Sequence, residues 1–337
     1  MSSFDLRDPN IFNPIQVGHV RPLHRAVMPP LSRMSTIDSM PLQLESLPEY
    51  YGIKSQTPGT LVIVESTLLS PPNNGEVVKA WTPQEMEFWR QIFEQIHMNN
   101  SYVFVQLANW GSPADANDLA ESFGRVSLNA NGTDSGLQGT DPSNQEFVDQ
   151  FVRDYVQAAQ NCILAGADGV EIHHVNGSLL NQFLDPQSNT RADDYGGSIG
   201  NRARLTLRVV EALANTIGVE RVGISFSPYA SSSHFLSVAQ YAYILGELER
   251  SSQDGNRLAY VHLEEPVSGS LPPEGQIGPN QGAGSLIYSI WRGPVIRAGN
   301  LSSYPTLHPE VLEDMAKNDR TLVSDGRFFL STTLNRS

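Results

Sequence analysis

Cysteine is almost absent from this chain: Cys162 stands alone, which excludes an internal disulfide. It lies in an apolar helical pattern with no activating partner nearby, so it reads as a buried structural thiol rather than a nucleophile. Basic residues are also scarce. Lys and Arg number 22 against 36 Asp and Glu, a formal charge of -14. That charge repels a phosphate backbone unless a local basic patch compensates, and none is visible, so no nucleic-acid partner is expected. Long apolar runs are missing as well. None approaches the ~20 residues of a membrane-spanning helix, and the first 22 residues lack the apolar segment of a signal peptide. No membrane partner and no metal are expected, and the default location is cytoplasmic.

What is present is enough apolar material for one large core. Hydrophobic residues make up 39% and charged residues 17% of 337, too little charge for a disordered chain. Short apolar runs at 26–28, 60–64, 102–107, 169–172, 222–226, 258–263, 294–297 and 321–323 alternate with helical patterns. That rhythm argues for βαβ units with right-handed crossovers. Eight such runs predict an α/β fold, a single (β/α)8 TIM barrel spanning residues 1–337 as one domain.

Between the runs, Thr82 and Glu85 form a capping-box pattern ahead of Met86, Trp89, Phe93 and Ile96, which fall on one helical face. Ser143 and Glu146 repeat the pattern before Phe147, Phe151 and Tyr155, in a helix ending near Gly166. Residues 201–213 and 238–248 predict further helices. Two polar stretches, 112–139 and 264–284, are rich in Gly, Ser, Asn and Pro and follow strands at the end where barrel loops build active sites. They read as loops covering a site, not as domain linkers. There is no solenoid repeat and no low-complexity tract.

The stretch from His173-His174-Val175-Asn176-Gly177-Ser178 through Leu184-Asp185-Pro186 to Tyr195-Gly196-Gly197-Ser198 and Asn201-Arg202 resembles the signature of the old yellow enzymes, flavin-dependent enone reductases. Family-like segments also run from Pro22 through Ser32-Arg33, from Tyr50 through Glu65, and from Ile287 through Arg297-Ala298-Gly299-Asn300 to Gly326-Arg327-Phe328. The resemblance covers residues from about 11 to about 331. It implies flavin mononucleotide (FMN) over the barrel mouth, a His/Asn pair gripping a substrate carbonyl, and a Tyr donating a proton.

Position by position, the resemblance makes His173 and Asn176 the carbonyl pair. Two donors converging on one oxygen stabilise negative charge as it develops, as an oxyanion hole does; the alternative is a structural His and Asn at a strand end. His174 should face the other way along the strand and is read as structural. The proton-donor position is Ser178, where a hydroxyl is a far weaker acid than a phenol and reaches less far.

Gly299, Asn300, Gly326 and Arg327 match the phosphate-binding turns, while Gln106 and Ser32 match ring-contacting positions, Ser32 standing in for the more usual Thr. Where an Arg normally meets the pyrimidine edge of the flavin, this chain has Ser225, so a charge that favours reduced, anionic flavin is lost. Ser66 and Ala108 replace a small residue and a frequent Trp. Weak or absent FMN binding is therefore expected, and NADPH is not expected to be required. The chain stops ten residues after Arg327, so the family's usual C-terminal segment is expected to be missing.

These departures converge on one reaction centre. They predict a redox-neutral tailoring enzyme, an epimerase, isomerase or cyclase acting on a carbonyl-bearing or enone natural product. His173 is one candidate base, and Glu264 or Glu265 at the end of the sixth strand the other, unless those glutamates form only a solvated loop entrance. The alternatives are an FMN- and NADPH-dependent ene reductase of an activated alkene, and a non-catalytic barrel that binds a small molecule or a partner protein.

Overall fold

A computed structural model describes residues 10–31, 47–68, 83–109, 145–175, 178–228, 234–265, 283–299, 302–303, 306–307, 315, 318–324 and 326. Eight parallel strands close into a barrel: β1 (Ala26–Met28), β2 (Leu61–Leu68), β3 (Tyr102–Ala108), β4 (Gly169–His174), β5 (Val222–Phe226), β6 (Tyr260–Glu264), β7 (Val295–Ala298) and β8 (Thr321–Ser324). Each strand pairs with its sequence neighbour, and β8 closes the ring on β1 through Ala26 opposite Val323. All eight runs read from the sequence are strands. Most continue past the predicted end, because the carboxyl ends carry polar residues such as His173, His174 and Ser324 that break an apolar run but not a ladder.

Among the described residues seven α-helices accompany the barrel: α1 (Leu47–Lys54), α2 (Pro83–Met98), α3 (Gln145–Leu164), α4 (Leu179–Leu184), α5 (Ile199–Ile217), α6 (His234–Gln253) and α7 (Ala283–Ile290). Strand alternation sends Val62, Val64, Val103, Val105, Val170, Ile172, Val222, Ile224 and Val261 outward, where they join Phe93, Ile96, Phe151, Tyr155, Leu205 and Leu213 of the helices in one buried core. On α3, Phe151, Tyr155, Ala158, Ala159 and Cys162 recur at helical spacing, each buried. Burial of a large apolar side chain in such a seam contributes roughly 1.5–3 kcal/mol, which outweighs weak local propensity. Cys162 is buried here and its thiol pKa is pushed up by burial, the opposite of activation.

Helices α1, α4 and α7 escaped the sequence reading. The first contains Pro48 and Gly52, the second is six residues long, and the third has only eight residues after a Gly-rich stretch, so none offers a long apolar period. The cap residues Thr82 and Ser143 lie outside the described residues, as does most of both polar stretches.

Inside, the barrel is divided by height. Val27, Leu61, Ile63, Phe104, Tyr260, Ile296 and Leu322 fill the amino-terminal half, with Val17 and Val20 packed against them. Room for two rings comes from inward glycines: a Cβ on Gly169 would sit 2.4 Å from the Phe104 ring, and one on Gly223 2.4 Å from the Tyr260 ring. Above this apolar plug the inward residues turn polar. The chemistry is therefore confined to the carboxyl-terminal mouth.

Candidate functional site

Two layers of inward side chains build the mouth. In the lower, Gln106, Glu171 and Gly223 are in register across β3, β4 and β5, and Gly223 pairs with Tyr260 of β6. In the upper, His173, Ser225 and His262 are in register across β4, β5 and β6, and His262 pairs with Ile296 of β7. By alternation Glu264 follows His262 on the same side of β6.

Glu171 is fully buried and doubly held. Gln106 Nε2 donates to its Oε1 at 2.7 Å, and His262 Nδ1 lies 2.9 Å from its Oε2. Burial alone would neutralise both partners, but each offsets that for the other: Glu171 is held below the usual carboxylate range by His262 and Gln106, and His262 is raised above the usual imidazole value chiefly by Glu171. Both shifts favour the charged forms, a carboxylate facing an imidazolium. Sequence reasoning missed the pair. The signal was there in three polar residues, Gln106, Glu171 and His262, each at an inward position of an otherwise apolar strand.

His173, one of the predicted carbonyl-gripping pair, is buried on the inner face at the end of β4. Burial pushes its pKa down to about 4; Glu171 resists this and the His262 charge adds to it. The imidazole is thus neutral over the ordinary working range, a hydrogen-bond donor rather than an acid. Asn176 lies outside the described residues. His174 faces outward as alternation requires: Nε2 is 2.9 Å from Thr206 Oγ1, and the ring meets Phe226 and Tyr241 edge-on at 5.4 and 5.8 Å. Its role is structural.

Ser178 is fully buried and serves as the N-cap of α4, its Oγ accepting from the Asn181 amide at 3.2 Å. A hydroxyl engaged in this way makes the position part of the scaffold. Ser178→Ala is accordingly expected to cost about 1 kcal/mol of stability in a denaturant melt, the usual value of a cap. A loss of turnover of the size that follows removal of a general acid, about 10²–10⁴-fold, would instead make it a proton donor.

Ser225 is buried, and its hydroxyl is turned to the backbone of β4: Oγ donates to Ile172 O at 3.3 Å and lies 3.4 Å from His174 N. It offers a ligand neither charge nor a free hydroxyl. The two glutamates after β6 separate cleanly. Glu265 forms a two-pronged ion pair with Arg297, Nε to Oε1 at 2.5 Å and Nη2 to Oε2 at 2.7 Å, and is committed there. Among the described residues Glu264 has no such counter-ion; burial raises its pKa, His262 opposes the rise, and the Glu171 charge adds to it.

FMN fits the described residues at few points. His262 Nε2 is buried with no hydrogen-bond partner among the described residues, and so is Ser324 Oγ at the end of β8. Orphaned polar atoms near the top of the barrel are places for a ligand's acceptors and donors. Gly299 has φ +120, and a Cβ there would sit 2.3 Å from the Glu265 carbonyl oxygen, so only glycine can turn the chain at the end of β7. Of the other predicted cofactor contacts, Gln106 is on the inner face and Gly326 is described, whereas Ser32, Asn300 and Arg327 lie outside the described residues. Among the described residues no cluster of three or more His, Cys, Asp or Glu could hold a metal ion, and no helix is long and apolar enough to cross a membrane.

Comparison with known proteins agrees with this architecture. The model of the NADH:flavin oxidoreductase / NADH oxidase family matches residues 10–333. Enoate reductase 1 of Kluyveromyces lactis is 41% identical over 97% of this chain and 86% of that protein. A chanoclavine-I aldehyde reductase of Penicillium roqueforti is 34% identical over 96% of this chain and 86% of its own length. The crystal structure of old yellow enzyme from a Pichia species superposes with a TM-score of 0.78 at 32% identity, covering 98% of this chain and 86% of that one. With a closed eight-stranded barrel and a family match over almost its whole length, the chain belongs to the NADH:flavin oxidoreductase / NADH oxidase family, the old yellow enzymes.

Proposed function

We propose that this protein is a redox-neutral isomerase or epimerase that moves a proton next to the carbonyl of a natural product held in the barrel mouth. The observation that carries this reading is the contrast between two inward residues of the mouth: a neutral imidazole at His173 in the upper layer and, one inward step beyond His262 on β6, a carboxyl with a raised pKa at Glu264. A neutral imidazole donates a hydrogen bond to a carbonyl oxygen without giving up its proton, and a carboxylate with a raised pKa is a better base near neutrality. Glu264 takes the proton from the α-carbon, the C–H electron pair becomes the enolate double bond, and His173 holds the oxygen as charge accumulates. Return of the proton to the other face, or to a vinylogous carbon, completes an epimerisation or an isomerisation with no hydride exchanged. Asn176, three residues after His173, is the second donor in this proposal.

Ser178, capping α4, supplies no phenol for the proton of a reduction. With cyclic ketones and enones carrying an α- or γ-hydrogen as probes, incubation in deuterated water without NADPH is expected to give products of unchanged skeleton that carry solvent deuterium. A gain of two hydrogens strictly dependent on NADPH and FMN would overturn the proposal. Unchanged mass with no deuterium would redirect it to cyclisation.

A second reading has its own support: the relatives named above are an enoate reductase and an aldehyde reductase. In it the same mouth would hold FMN, which when bound would supply the hydride for an alkene reduction. His173 then polarises the carbonyl, and water takes the role of the missing phenol.

A further inference from the structure

The buried Glu171–His262 pair is not needed for α-proton transfer, yet it shares the mouth with the residues that perform it, Glu171 one layer below His173 and His262 in the same layer. A fully buried carboxylate requires a compensating charge, and Gln106 contributes only a neutral donor. Among the described inward residues of the two polar layers there is no lysine or arginine: β4 contributes Glu171 and His173, β5 Gly223 and Ser225, β6 Tyr260, His262 and Glu264, and β7 Ile296. His262 is thus the cation available to Glu171. The imidazole nitrogens point in diverging directions, so with Nδ1 on Glu171 in the lower layer, Nε2 is aimed away from it, and this atom is buried without a partner among the described residues. In register, His262 stands beside Ser225, the position where the resemblance places an arginine against the flavin.

We propose that His262, an imidazolium anchored by Glu171, replaces that arginine as the positive charge offered to bound FMN, its Nε2–H donating to the acceptor edge of the pyrimidine ring. The charge is offered from β6, one strand along from Ser225 on β5. Its protonation is consistent with the groups that face it: Glu171 from β4 and Glu264 from its own strand hold the proton, His173 is neutral, and Tyr260, whose own pKa is raised, is uncharged. The proposal is independent of whether the reaction is redox-neutral, since it concerns affinity for FMN and the charge of one side chain.

The test uses the full chain and FMN, with binding followed by quenching of flavin fluorescence. His262→Gln, which keeps a donor but removes the charge, is expected to weaken FMN binding about 10-fold or more, the loss of one charge-assisted hydrogen bond. Ser225→Arg in the His262→Gln background should restore affinity, because a guanidinium next door supplies the missing charge. In the otherwise unaltered chain, Ser225→Arg puts two cations side by side, and His262 should then give up its proton at lower pH. Histidine NMR reads this directly: in the natural protein the His262 imidazolium signal should persist above the ordinary histidine pKa of about 6.5. If His262→Gln does not fold, the NMR titration and the double variant carry the test. A His262 that is neutral below that value, equal FMN affinity with and without the histidine, or no FMN binding by the natural protein would each overturn the proposal.

Discussion

Alanine at His173 is expected to reduce turnover about 10²-fold or more, the loss seen when one donor is removed from an oxyanion-stabilising pair. The side chain sits at the carboxyl end of β4 facing inward, with Glu171 the next inward residue below it, so truncation leaves nothing at that height on β4 to meet the carbonyl. The loss should fall on kcat rather than KM, because the hydrogen bond strengthens as charge moves to the oxygen. His173→Gln should recover part of the rate, since an amide donates where alanine cannot. The pH profile adds a separate readout. A base must be ionised to work, so turnover should fall as pH drops through the raised pKa of Glu264, while His173 stays neutral until about pH 4. Glu264→Gln should remove both the activity and that acid limb. Full activity in His173→Ala, with the protein folded by circular dichroism, would leave the proposed chemistry without its electrophile.

The second large effect is on stability. Glu171→Ala is expected to cost about 3–5 kcal/mol in a denaturant melt, because it strands a buried imidazolium that must then lose its proton. The pH dependence separates this from simple loss of packing. Glu171 has a depressed pKa, so its contribution is present above its ordinary value of 4.5 and is lost as pH falls through the lower folded value. His262 has a raised pKa, so its contribution is present below 6.5 and fades as pH rises through the folded value. The pair is therefore fully effective from 4.5 to 6.5.

His173 and His174 act in the opposite sense on the acid side. Both are buried and neutral, with pKa values of about 4 and about 3, so below 6.5 the unfolded chain takes up protons that the native state refuses. For His173 alone that is on the order of 3 kcal/mol by pH 4. In Glu171→Ala, His262 joins them as a third neutral histidine: the alkaline decline should vanish and the acid decline should steepen. An unchanged profile would mean that Glu171 and His262 are not an ion pair.

How much of this was legible beforehand follows from how far each signal extends along the chain. Apolar runs and their alternation with helical faces are local, and they were sufficient for the eight strands, the barrel and the outward placing of His174. The spacing of His173, Asn176 and Ser178 was likewise visible as a resemblance. It could not show that Ser178 caps α4, because that depends on a helix of six residues too short to have a period.

Other features belong to the tertiary structure. Glu264 and Glu265 look alike in the sequence, but adjacent residues of a strand face opposite ways, and Arg297 arrives on one face only, 32 residues later, to claim Glu265. Glu171 and His262 are 91 residues apart and meet because closure of the barrel brings β4 and β6 to either side of β5. The low pKa of His173 has the same origin, since burial and the charge of His262 are properties of the enclosed mouth. The sequence by itself determined which segments are strands and which way their side chains alternate, because those are short-range steric rules. Only barrel closure decided which polar groups share a low-dielectric interior, and with it which of them are charged.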